Sequence, residues 1–147
     1  MSGNTEMNTV ASGEDSELLQ AARNAAQMAY APYSRFRVGS AVRGMKGVYV
    51  GVNVENASYN LGLCAERAAL AAAMSAGEKN ILAVAISCVD VAAAQGVESR
   101  MPCGACRQWF SELAPDARIL IDGVDRVFSV GDLLPHAFAL RADRSVS

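Results

Sequence analysis

Four residues in two short stretches of the 147-residue chain could do chemistry together: Cys64 and Glu66 in Cys64-Ala65-Glu66-Arg67, and Cys103 and Cys106 in Pro102-Cys103-Gly104-Ala105-Cys106-Arg107. Thiolates are strong zinc ligands. A structural zinc site takes four protein ligands, whereas three ligands leave a fourth position open for water, the arrangement of a catalytic site. Cys64, Cys103 and Cys106 supply three. Zinc held there would activate water, and Glu66, two residues from a thiolate on an otherwise apolar stretch, is the natural general acid and base. A C-x-x-C pair alone also serves redox dithiols, but that reading leaves Cys64 and Glu66 without a task. The fourth cysteine, Cys88, falls in the apolar run Ile81–Val89 and reads as a small buried hydrophobe. His136, beside Pro135, reads as a surface or interface residue. Three thiolates leave bound zinc with a net negative charge, which weakens it as an acid. Two features offset this: helix N-termini favour anions, and Arg67 and Arg107 stand close enough to donate to sulfur.

The elements that must position these groups follow from hydrophobic periodicity. Residues Met1 to Asp15 lack an apolar period and read as a mobile N-terminal extension. Ser16 is placed to cap a helix with Leu18, Leu19, Ala22, Ala25, Ala26 and Ala29 at helical spacing, running to Tyr30 before Pro32. Strands are expected at Val38–Arg43 and Val48–Val54, paired as a hairpin across Gly44-Met45-Lys46-Gly47. A buried, alanine-rich helix runs from Cys64 to Ala76 and closes at Gly77. Ile81–Val89 reads as a central strand, Ala92–Met101 as a loop and Cys103–Ala114 as a helix. Short strands are expected at Arg118–Ile121 and Arg126–Val130, with a last helical turn at Asp132–Leu134. The order α-β-β-α-β-α-β-β-α predicts a three-layer α-β-α sandwich over residues 16–140, with a mixed five-stranded sheet and a C-terminal tail at 141–147. Both cysteine-bearing helices would start at one edge of that sheet, where α/β ligand sites lie.

Composition narrows the partners. Apolar residues make up 52% and charged residues 19%, which places the chain among globular proteins. The net charge of −2 and the scattered Lys and Arg disfavour a nucleic-acid partner. No apolar run is long enough to span a bilayer, and the N-terminus lacks the apolar core of a signal peptide, so a cytoplasmic location is expected.

Taken together, Tyr33-Ser34-Arg35-Phe36-Arg37-Val38-Gly39, Asn53-Val54-Glu55-Asn56-Ala57-Ser58-Tyr59, Cys64-Ala65-Glu66-Arg67 and Pro102-Cys103-Gly104-Ala105-Cys106-Arg107-Gln108 resemble the small, homotetrameric cytidine deaminases from about Leu18 to Phe138. The zinc pattern among them is a known signature of zinc nucleobase deaminases. The resemblance implies one zinc per chain on Cys64, Cys103 and Cys106, and hydroxide attack at C4 of cytidine or 2′-deoxycytidine with Glu66 as proton shuttle. It also implies a small-molecule nucleoside substrate, a place in pyrimidine salvage, and Arg67 as charge compensation beside the ligands. Asn53 and Glu55 would hold the ribose 3′-hydroxyl, Ala65 and Glu66 would read the pyrimidine edge, and Phe36 would pack on the base. Ala57, Tyr59 and Phe138 would reach a neighbouring subunit's site.

Several positions depart from the pattern. Arg37 stands where proline is usual, which predicts a less rigid loop around Phe36. Ser40 replaces alanine, Ala68 replaces threonine, and His136 replaces the glycine of the tail motif. The alternatives are a deaminase of another aminopyrimidine nucleoside such as blasticidin S, a structural zinc module used for assembly, and a dithiol redox protein.

Overall fold

The structure, a computed structural model, describes residues 12–140. The expected extension over 1–11 and the tail over 141–147 lie outside the described residues. Helix α1 spans Gly13–Ala26, earlier at both ends than the sequence suggests. Its cap is Ser12, whose side chain accepts from the Asp15 amide at 3.1 Å, and not Ser16. Asp15 therefore belongs to the first helical turn. Its carboxylate is 1% exposed and takes both arms of Arg118, each at 2.8 Å. A partner 103 residues away thus draws an apparently polar leader into the fold. At the other end, Tyr30 is not helical and instead bridges Val54.

Strands β1 (Val38–Gly44), β2 (Val48–Val52), β3 (Ile81–Cys88), β4 (Arg118–Ile121) and β5 (Phe128–Ser129) form a single sheet in the order β2-β1-β3-β4-β5. Only the β3–β4 pair is parallel, so the sheet is mixed, as expected. The expected strand Arg126–Val130 shrinks to β5 because Val130 already begins the short helix α4 (Val130–Leu133). Ser129 caps that helix, exchanging hydrogen bonds with Asp132.

Alternation along the strands separates two cores. Ala41, Ala83, Ala85 and Leu120 face α1 and pack on Leu18, Leu19 and Ala22. Val42, Val84, Ile86, Ile119 and Ile121 face the opposite layer, made by α2 (Ala65–Ser75) and α3 (Gly104–Leu113). There Phe110 is fully buried, which stabilises by roughly 2 kcal/mol. Small residues set the spacing between layers. A Cβ on Gly51 of β2 would lie 2.7 Å from the Ala65 carbonyl oxygen, so the first turn of α2 rests directly on the β2 backbone. Glu78, just past α2, accepts from the amides of Met45, Lys46 and Gly47 and from the Tyr49 hydroxyl, and so holds the β1–β2 turn.

Candidate metal centre and active-site cleft

Cys64 is the N-cap of α2 and Cys103 the N-cap of α3, and neither spends its side chain on capping. Both thiols are left free at the positive ends of the two helices. Cys106 follows in the first turn of α3, buried. The Sγ atoms of Cys64 and Cys103 are 3.7 Å apart, those of Cys103 and Cys106 are 3.5 Å apart, and all three lie within 4.8 Å of one another. Sulfurs bound tetrahedrally to zinc at about 2.3 Å would sit about 3.8 Å apart. The donor set and its spacing therefore fit zinc.

The charges around the cluster favour a thiolate at Cys64, whereas the hydrogen bond with Cys64 and burial push the Cys106 thiol up. The Cys64 thiol is drawn down to about 5 by the hydrogen bond from Cys106, against the opposing effect of burial, and with help from Arg67. Arg67 Nη2 lies 3.4 Å from the Cys64 sulfur, where the sequence places it. Arg107 does not do the same. Its guanidinium donates to the carbonyls of Pro102 and Leu133, both at 2.8 Å, and braces the approach to Cys103 against the end of α4.

Glu66 is 5% exposed, and its Oε2 is 3.5 Å from the Cys106 sulfur. Burial is the main cause that holds its carboxyl above the usual range, and the neighbouring Cys64 thiolate adds to this. A carboxyl held above its ordinary range in this way is suited to move protons in both directions.

A cleft of about 420 Å³ opens over the cluster, lined by Phe36, Asn53, Glu55, Cys64, Ala65, Glu66 and Cys103 together with Ser34, Val38, Cys88, Ser99 and Met101. The structure thus brings together all the expected metal and cleft residues of the chain's own site. Asn53 is already engaged: its amide nitrogen donates to the Phe36 carbonyl at 2.7 Å and its oxygen accepts from the Val38 amide at 2.9 Å. Glu55 Oε1 accepts from the amides of Tyr33 and Ser34, and hydrogen bonds from Ser34 lower its carboxyl. Ala57 and Tyr59 lie outside the cleft. Tyr59 is 81% exposed, stacked edge-on to Tyr33, and borders an adjoining pocket that shares Ser34 and Glu55 with the cleft. Phe138 is 69% exposed and lines a separate groove with Trp109 and Leu113.

Cys88 was missed as a cleft residue. It ends β3 half-buried in the cleft wall, where burial pushes its thiol up to about 12 and keeps it neutral. His136 is exposed, as expected, and adopts φ 54°, in the left-handed region that favours glycine.

Residues 12–137 match the cytidine and deoxycytidylate deaminase zinc-binding region. The chain belongs to this family. Family membership makes the protein an enzyme and the three-cysteine cluster its zinc site, with place for one ion per chain. The chain is 49% identical over 121 residues to a cytidine deaminase of Mycobacterium tuberculosis, covering 81% of this chain and 85% of the relative. It is 40% identical over 126 residues to a cytidine deaminase of Halalkalibacterium halodurans, covering 82% and 91%. Among solved structures, a cytidine deaminase from Burkholderia pseudomallei superimposes with a TM-score of 0.75 at 42% identity, covering 87% of this chain and all of that one. No described helix is long and apolar enough to cross a membrane.

Proposed function

We propose that the protein deaminates cytidine and 2′-deoxycytidine hydrolytically, giving uridine and 2′-deoxyuridine with release of ammonia. The observation that carries this reading is the buried Glu66 carboxyl against the Cys106 sulfur, at the floor of a cleft walled by Phe36, Asn53 and Glu55. Similarity to deaminases of cytidine over four-fifths of the chain supports the choice of substrate.

Cys64, Cys103 and Cys106 would hold zinc, which when bound acidifies water and so supplies a nucleophile at neutral pH. Glu66 would take a proton from the attacking water. It would pass that proton to N3 of the ring, then take the second proton from the hydroxyl newly added at C4 and give it to the amine. The amine leaves as ammonia while C4 becomes the carbonyl carbon, and these transfers suit a carboxyl whose affinity for protons is raised by burial. Arg67 offsets the charge of the thiolates. Phe36 covers the pyrimidine face, while the Ala65 backbone reads its edge. Glu55, with one oxygen spent on the Tyr33 and Ser34 amides, offers the other to the ribose. Asn53 shapes the same wall through the backbone of Phe36 and Val38.

Ala57, Tyr59 and Phe138 act in a neighbour's site in this reading, within a homotetramer in the cytoplasm that serves pyrimidine salvage. Their exposure on surfaces outside the chain's own cleft supports that assignment. Spectrophotometric turnover of cytidine, deoxycytidine, CMP and blasticidin S is the test. Consumption of the first two bears the reading out, and consumption of blasticidin S alone replaces it. A monomer with full activity would remove the roles given to Tyr59 and Phe138.

A further inference from the structure

Arg37 is bound into the wall of the cleft more tightly than a surface arginine needs to be. It follows Phe36 in a loop whose preceding residue, Arg35, has φ 57°, a conformation that persists in a non-glycine residue only where contacts over-determine it. On the inner side Asn53 holds the Phe36 carbonyl and the Val38 amide. On the outer side Asp90, two residues past β3, accepts three hydrogen bonds from Arg37: from the amide at 2.8 Å, Nε at 3.0 Å and Nη2 at 2.8 Å. The remaining arm reaches Gln27 at the end of α1 at 3.1 Å, and the Val89 amide donates to the Arg37 carbonyl at 3.3 Å. Residue 37 is therefore tied to α1 and to the segment after β3. Neither Arg37 nor Asp90 lines the cleft, but their chain neighbours Phe36 and Cys88 do, each a short step along the backbone.

We infer that Arg37 and Asp90 are a positioning pair, which sets Phe36 relative to the Cys88 end of β3 and so governs nucleoside binding. The inference rests on the reading that Phe36 packs on the base. The side chains are 39% and 26% exposed, a setting in which an ion pair adds little to global stability. The effect is local: without the pair, the aromatic wall loses its outer anchor while the thiol cluster and Glu66 stay in place. A guanidinium fork is required, because an ammonium cannot make the paired contacts to both carboxylate oxygens.

The test uses the full-length, zinc-loaded protein and the variants Arg37→Ala, Asp90→Ala, Arg37→Lys and the double alanine variant. Each single alanine variant should raise KM for cytidine about 5–10-fold and leave kcat within about two-fold, the pattern of lost uniform binding. The double variant should be no worse than either single, and Arg37→Lys should recover only part of the loss. Zinc content should stay at the wild-type value, and stability should fall by no more than about 1 kcal/mol, the worth of an exposed ion pair. Amide exchange followed by mass spectrometry should quicken in segment 33–38. Unchanged KM in both singles, additive losses in the double variant, or a KM rise matched by loss of zinc would overturn the inference. If the wild-type protein did not consume cytidine, the substrate reading would fall separately. The exchange measurement would still decide the positioning role, since wild-type exchange of 33–38 in Arg37→Ala overturns it.

Discussion

Gly51→Ala should damage the zinc site from the far side of a helix, without touching a ligand. The added Cβ would lie 2.7 Å from the Ala65 carbonyl oxygen and 2.8 Å from the Ala68 carbonyl carbon, and would press on the Ala69 nitrogen, whereas ordinary contact begins at 3.4 Å. All of these are backbone atoms, so no side chain can swing aside. The start of α2 must retreat by about 1 Å or the strand must buckle, and overpacking of this kind costs about 1–3 kcal/mol. Cys64 caps that turn and Glu66 lies within it, so both move while Cys103 and Cys106 stay on α3. Misplacement by about 1 Å in a reacting centre can cost around 100-fold in rate. The expected result is a melting temperature lower by about 3–10 °C, with a 10- to 100-fold loss in kcat and faster loss of zinc to a competing chelator. Gly39→Ala is the matched control. Its Cβ would press on the Ala22 and Ala26 backbone of α1, on the opposite face of the sheet, and should lower stability while sparing zinc. Gly104→Ala meets nothing within 4 Å and should be harmless or mildly stabilising. Wild-type kcat and zinc retention in Gly51→Ala, or equal zinc loss in Gly39→Ala, would refute the reasoning.

Three further outcomes are expected. In chelator-treated protein at pH 6.5, iodoacetamide should label Cys64 well ahead of Cys88, because one thiol is drawn down to about 5 and the other pushed up to about 12; zinc should protect Cys64, and equal labelling would contradict the electrostatics. Arg118→Ala leaves the Asp15 carboxylate buried without its partner and should cost about 2–3 kcal/mol in urea unfolding, discounted from a fully buried pair because Arg118 is 41% exposed. Asp90, held at about 2 mainly by the hydrogen bond from Arg37, has a folded value below its ordinary 3.8; its contribution is complete above that value and disappears as pH falls toward 2. The stability difference between wild type and Asp90→Asn should therefore close across that interval, and a constant difference would exclude the linkage.

The features carried by local pattern were legible in the sequence. The continuous apolar run Ile81–Val89 and the spacing of the cysteines are short-range signals, and the central strand and thiol cluster follow from them. What was hidden depends on partners distant in the chain. Asp15 looks like part of a polar leader until Arg118 is opposite it, and Cys88 looks like core until β3 ends at the cleft. Arg37 reads as a loss of rigidity where proline is usual. The structure gives that arginine a partner, Asp90, 53 residues away. Arg107 sits one residue past a ligand, yet it turns from sulfur to two carbonyls whose positions only the fold determines.

The most direct test of the account is Glu66→Gln, assayed for cytidine turnover and for zinc per chain. The side chain is nearly isosteric and Glu66 is buried, with its carboxyl already inclined to be neutral, so folding and metal content should be preserved. General acid–base catalysis contributes about 10²–10⁴-fold, and a shuttle acting in successive proton transfers belongs at the upper end. The account predicts roughly one zinc per chain with turnover reduced by about 10⁴-fold. Retained turnover with retained zinc would contradict it.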